Sequence, residues 1–283
     1  MIVKYKEDIN LLCIAYTLWG DDMLFKLGDL VTRKSYNNDV IFRVDDIVDD
    51  NFILTGINMR LCADANEDDL QAYNSNEKVE DDDLIAEQLG EYFNLDRSEY
   101  FYLPGRILHV DGDEGYLKRC LKFYKNGNIN AYGIHIKEDD MANSIAKHLN
   151  DIKPDILVIT GHDAYYRKRG KKDDLDSYKN TNNFIKTVQE ARRYEKAHDK
   201  LIIVAGACQS NFEALIKSGA NFASSPKRVN IHALDPAIIA LTLSLSDKSK
   251  DIDLIGILEK TKYGALGLGG VITKGMMYVG YPR

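Results

Sequence analysis

Two apolar runs, each ending in a small glycine turn that carries a reactive side chain, constrain this chain more than any other feature. The first is Ile156-Leu157-Val158-Ile159-Thr160, followed by Gly161-His162-Asp163. The second is Leu201-Ile202-Ile203-Val204-Ala205, followed by Gly206-Ala207-Cys208-Gln209-Ser210. Short runs without polar alternation read as strands buried on both faces, as in a parallel sheet covered by helices. The surrounding segments keep the same rhythm. Strands are expected at 106–110, 131–136, 156–160, 201–205 and 220–223, with amphipathic helices at 114–124, 141–150, 183–197 and 212–218 between them. Strand and helix in alternation predict an α/β fold with a mainly parallel, doubly wound sheet.

The first part of the chain has another grammar. Short strand-like runs at 29–33, 40–48, 52–56 and 59–62 are separated by turn signals such as Asn37-Asn38 and Asp49-Asp50-Asn51, which predicts a small all-β, SH3-like barrel. The expected organisation is an extension at 1–22, the barrel at 23–65, an acidic linker at 66–101 and the α/β domain at 102–283. The barrel reads either as a protein-docking module or as a domain that only packs on its neighbour.

With 283 residues and 45% hydrophobic side chains, the chain can bury a sizeable core and a second small one. A net charge of −7 argues against a nucleic-acid binder, whose affinity comes from clustered Lys and Arg. The cysteines at 13, 62, 120 and 208 lack paired spacing, so neither a zinc site nor a disulfide framework is expected, and a reducing compartment fits. No metal or other cofactor is expected. The apolar run from 9 to 19 is too short to cross a bilayer, follows Glu7 and Asp8, and lacks a small-residue cleavage site. Neither a secretion signal nor a membrane segment is expected.

In an open parallel sheet the functional groups collect at the carboxyl ends of the strands. Asp111, His162, Cys208 and Ser224 all follow such ends. A cysteine between a strand and a helix start is favoured as a thiolate, and a nearby imidazole can activate it and protonate a leaving amine. His162 precedes Cys208 by 46 residues, close to the spacing of the caspase signature, and Ala207-Cys208-Gln209 fits that signature in part. Gly206 and Ser210 depart from it. The residues predict a Cys208–His162 protease dyad; the competing reading is a small buried thiol and a polar strand cap.

The longest recognisable stretches are Gly28 to Tyr36, His109-Val110-Asp111-Gly112-Asp113-Glu114, Asp155 to Tyr165, Ala205 to Ser210 and Gly219 to Pro236. In these the chain from Met23 onward resembles the YabG family of sporulation-specific cysteine proteases, in the wider caspase- and gingipain-like clan. The resemblance implies a caspase-like sheet and places the family's cysteine and histidine at Cys208 and His162. It also implies processing of spore coat or germination proteins beside arginine, in the mother-cell cytoplasm and then the coat, without secretion, nucleic acid or membrane. The clan's histidine is usually followed by a glycine whose N–H helps form the oxyanion hole. Here Asp163 stands there, and its N–H would serve with that of Cys208.

An arginine-binding pocket needs a carboxylate. In caspase-like folds the loop after the first strand contributes to that pocket, which points to Asp111 or Asp113, with Asp235 as the rival and Gly206 leaving room for a long side chain. Helix capping is the competing role for Asp113 and Glu114. His232 reads as a structural loop histidine, and the basic run Arg167 to Lys172 as a solvated loop, a lid or a self-cleavage site. Two rival functions stay open. One is a receiver-like phosphoacceptor domain using Asp111, Asp113, Asp163 and Lys227; the other is an inert scaffold of the spore coat.

Overall fold

The computed structural model describes residues 24–48, 50–74, 81–90 and 101–281. The expected extension at 1–22 lies outside them. The chain divides into two compact units. One holds the described residues of Met1–Thr55 and Ala63–Ser75, and the other those of Gly56–Cys62 and Asn76–Arg283.

The first unit is a five-stranded sheet in the order β4-β3-β2-β1-β5, formed by β1 (Leu30–Arg33), β2 (Phe42–Val48), β3 (Asn51–Gly56), β4 (Cys62–Asn66) and β5 (Leu70–Ala72). β1 pairs antiparallel with both β2 and β5. Val31, Phe42, Val44, Phe52, Leu54 and Leu70 supply its buried side chains. Two expectations shift here. The strand expected at 59–62 is a connection, and pairing resumes at Cys62. The sheet also reaches Ala72, inside the stretch whose acidic composition predicts linker, because Leu70 buries against β1 while its charged neighbours stay outside.

The second unit is a mixed six-stranded sheet in the order β12-β11-β10-β9-β7-β8. Its strands are β7 (Ile107–Asp111), β8 (Tyr132–His135), β9 (Ile156–Thr160), β10 (Ile202–Ala205), β11 (Phe222–Ser224) and β12 (Leu268–Gly270). All pair in parallel except β12, which runs antiparallel to β11. A separate pair joins β6 (Phe101–Leu103) to β13 (Tyr278–Gly280).

Alternation of side chains along the strands sorts the core into two layers. On one face Ile107, Ile156, Val158, Ile202, Val204 and Phe222 meet α2 (Glu114–Asn126), α6 (Asp235–Ser244) and α7 (Leu254–Glu259). On the other, Leu108, Val110, Leu157, Ile159, Ile203 and Ala205 meet α3 (Glu138–Ile152), α4 (Thr181–Tyr194) and α5 (Phe212–Ser218). A short helix, α1 (Asp82–Gln88), attaches through the Asp82–Arg119 ion pair. The doubly wound expectation holds. No described helix is long and apolar enough to cross a membrane.

Candidate active site

Strand register brings the two glycine turns together. Ile159 on β9 pairs with Ala205 on β10 and with Val110 on β7, so the turns after Thr160, Ala205 and Asp111 lie side by side at one sheet edge. The strand order changes direction between β7 and β9, which is where open α/β sheets place their sites.

His162 is nearly buried, at 8% exposed. Its Nε2 lies 3.0 Å from Asp113 Oδ2, and its N–H donates to Glu138 Oε1 at 2.9 Å. Gly112 and Gly161 make room for that Glu138 carboxylate: a Cβ on either would come within 2.4 Å of its atoms. Burial opposes a charged ring, but Asp113, followed by the nearby Cys62 sulfur, outweighs it and lifts the His162 pKa to about 10. Nδ1 makes no hydrogen bond of ordinary geometry.

Cys208 sits in the turn ahead of α5 and is fully buried. Its Sγ accepts the N–H of Ile231 at 3.1 Å and lies 3.5 Å from the Ile231 carbonyl. Burial pushes the thiol well up, more than the Ile231 hydrogen bond and Arg60 lower it. The sequence expects a low pKa from the start of the helix. Burial reverses that expectation, and the helix begins only at Phe212, capped by Asn211, which accepts from Ala214 N. Cys62, which the sequence leaves without a role, is the thiol beside His162. Burial disfavours its thiolate, but His162 and then Lys179 outweigh that and lower its pKa.

The four acids divide. Asp113 holds His162 and caps α2 through Tyr116 N at 2.8 Å, so the capping role is present together with an unexpected one. Asp111 is fully buried and receives Arg60 Nη1 on Oδ1 at 3.1 Å and Oδ2 at 2.9 Å; it binds an arginine, and that arginine belongs to the chain. Asp163 is fully buried. Its carboxylate accepts Ala164 N, Asn180 N, Thr181 Oγ1 and Ser210 Oγ, tying the histidine turn to the cysteine turn. Asp235 is buried and accepts the N–H groups of His232 and Lys262.

Gly206 does not open onto a cavity. It has a φ of +104°, and an added Cβ would meet Leu215 Cδ1 at 2.8 Å and Ser224 Cβ at 3.2 Å. Interior side chains pack around it. His232 is structural: Leu234 N–H donates to Nδ1, and Nε2 lies 2.7 Å from Asp81 Oδ1. Within the polar insertion Tyr165 bridges antiparallel to Tyr178, whose hydroxyl accepts from Arg228 Nε.

The sequence reading missed Arg60, Cys62 and Tyr116. An arginine between Met59 and Leu61 in an apolar run was the available signal, since a charge within a buried strand asks for a partner.

Residues 26–282 match the family model described as YabG peptidase U57. The chain belongs to the YabG peptidase family. It is similar to the sporulation-specific protease YabG of Bacillus subtilis strain 168, with 43% identity over 287 residues that cover 92% of this chain and 99% of that protein. No solved structure matches. The chain is therefore a peptidase. Membership in the YabG family gives no support to the receiver-like reading. Its acids are also otherwise engaged, Asp111 with Arg60 and Asp163 with four donors.

Proposed function

We propose that this peptidase is a cysteine endopeptidase of sporulation in which Cys208 is the nucleophile and His162 the proton carrier. The observation that carries the reading is the register of β9 on β10, joined by the Ser210–Asp163 hydrogen bond, which fixes the two turns to each other. Once its proton has passed to solvent, Cys208 attacks the substrate carbonyl as a thiolate; the C–N bond breaks as the thioester forms, His162 gives its proton to the departing amine, and water then hydrolyses the thioester to acid and free thiol. A His162 charged at neutral pH suits the proton-donating half of that cycle. The N–H groups of Cys208 and Asp163 would stabilise the oxyanion. Before attack the thiol has to leave its present burial, because a dry thiol does not ionise.

A preference for arginine is supported by the Asp111 carboxylate, which already holds a guanidinium in a dry pocket. The mainly parallel sheet with one antiparallel edge strand supports the caspase-like reading. The five-stranded antiparallel unit fits an SH3-like docking module. Spore coat and germination proteins are the proposed substrates, met in the mother-cell cytoplasm and later in the coat.

The test is hydrolysis of an arginyl fluorogenic peptide by the full chain. Cys208→Ala and His162→Ala should each lower kcat/KM by at least about a thousandfold. Asp111→Asn should cost about a hundredfold on arginine and little on a peptide without it. Hydrolysis that survives Cys208→Ala would remove the nucleophile from this reading.

A further inference from the structure

The connection between β3 and β4, Gly56–Cys62, belongs to the compact unit that contains the six-stranded sheet. It is a closed loop. Gly56 N–H donates to Leu61 O at 2.9 Å, and Leu61 N–H to Met59 O at 2.8 Å, a three-residue turn centred on Arg60. The Tyr116 hydroxyl is shared between the carbonyls of Gly56 and Met59.

One side of this loop pairs with residues 231–233, the stretch whose backbone touches Cys208. Ala233 N–H donates to Asn58 O at 2.8 Å, Arg60 N–H donates to Ile231 O at 3.3 Å, and Met59 bridges antiparallel to His232. Ile231 is also the residue whose N–H reaches Cys208 Sγ. The Arg60 side chain is fully buried, with Nη1 on Asp111 and Nε donating to Ala233 O at 3.0 Å. Past Arg60, Leu61 bridges in parallel with Asp163, and Cys62 stands beside His162.

From Met59 to Cys62 a short peptide thus passes each element assigned to substrate, in order. Its backbone pairs with the buried residues 231–233, its arginine fills the acid pocket, its next residue crosses the Asp163 turn, and the one after reaches the imidazole. Backbone pairing with one side chain in a pocket is a mode of peptide recognition, used here by a loop that turns at Arg60. A purely structural role explains the pair poorly, since a buried ion pair stabilises no better than apolar side chains of similar volume.

We infer that the β3–β4 connection is an internal ligand of the substrate cleft, with Arg60 in the place of a substrate arginine, and that it must withdraw before an arginine-bearing polypeptide binds. The inference rests on the cysteine-peptidase reading above. An internal ligand lowers apparent affinity by the fraction of molecules that are open.

The test measures binding without turnover. In full-length Cys208→Ala protein, fluorescence anisotropy with a labelled arginyl peptide compares Arg60→Gln and Tyr116→Phe with the unmodified loop. Tyr116→Phe keeps the ring and the pocket but removes the hydroxyl that grips the loop, so it decides the matter even where Arg60→Gln fails to fold. Both variants should bind the peptide at least about tenfold tighter. Affinity unchanged in folded Tyr116→Phe overturns the proposal. Wild-type hydrolysis that does not need Cys208 would sink the underlying peptidase site and leave this comparison standing.

Discussion

Asp113 is bound to two partners at once: Oδ2 lies 3.0 Å from His162 Nε2 and Oδ1 accepts the N–H of Tyr116 at 2.8 Å. The cap of α2 is therefore also the holder of the imidazole. A ring carried by a helix cap cannot rotate freely, and this fixes which nitrogen carries the proton toward Asp113.

Replacing Asp113 by asparagine should lower the His162 pKa from about 10 toward its ordinary value near 6.5, as read by NMR titration of the ring. The sign for stability follows. A histidine whose folded pKa is raised contributes stability fully below its unfolded value and loses it as pH climbs to about 10. Thermal unfolding of the parent should show a falling Tm across that window, and Asp113→Asn should flatten it. A parent profile flat from neutral to alkaline pH would contradict the charged pair.

Reactivity of the thiols should follow their surroundings. Cys62 is partly exposed with a lowered pKa, whereas Cys208 is buried with a raised one. Brief iodoacetamide treatment followed by peptide mapping should label Cys62 at least about tenfold faster than Cys208. Faster labelling of Cys208 in the resting protein would mean that the cleft stands open.

Asp163 shows what the sequence holds and what it hides. The strand ends, and with them the glycine turns that carry His162 and Cys208, were legible, because apolar runs and glycine turns act locally. The partners were not. That the Asp163 carboxylate serves Ser210 and Thr181 and not its neighbour His162 depends on where α4 and the cysteine turn arrive in space. The meeting of Arg60 with Asp111 joins residues far apart in sequence, and no periodicity reports it. Helix starts were missed by up to three residues for a related reason: the acidic first turn of α3, Glu138 to Asp140, looks like loop until the helix dipole is counted.

Since four donors converge on one carboxylate, Asp163→Asn should be costly even though it is nearly isosteric. An amide offers one oxygen, and turns an N–H group toward donors that then lose their acceptor. A loss of about 3 kcal/mol in urea unfolding is expected, against under 1 kcal/mol for an exposed control such as Asp173→Asn. Parity between the two would remove Asp163 as the tie between the turns.

Gly206 separates packing from substrate recognition. Two penalties meet in Gly206→Ala: a φ of +104° costs a residue with a Cβ about 1–2 kcal/mol, and the new methyl collides with Leu215 Cδ1. Together they should destabilise the protein by about 2–3 kcal/mol in urea unfolding. The collision is with the flexible end of a side chain, so Leu215→Ala should relieve that part and leave the backbone part. The double variant should accordingly lose about 1 kcal/mol less than the two single losses added together. Glycine acting as space for a substrate arginine predicts a different result, in which Gly206→Ala raises KM for the arginyl peptide while stability is kept. Stability lost with KM unchanged assigns the residue to the interior of the cysteine turn, where its conformation lets the chain leave β10 and bring Cys208 up to Ile231.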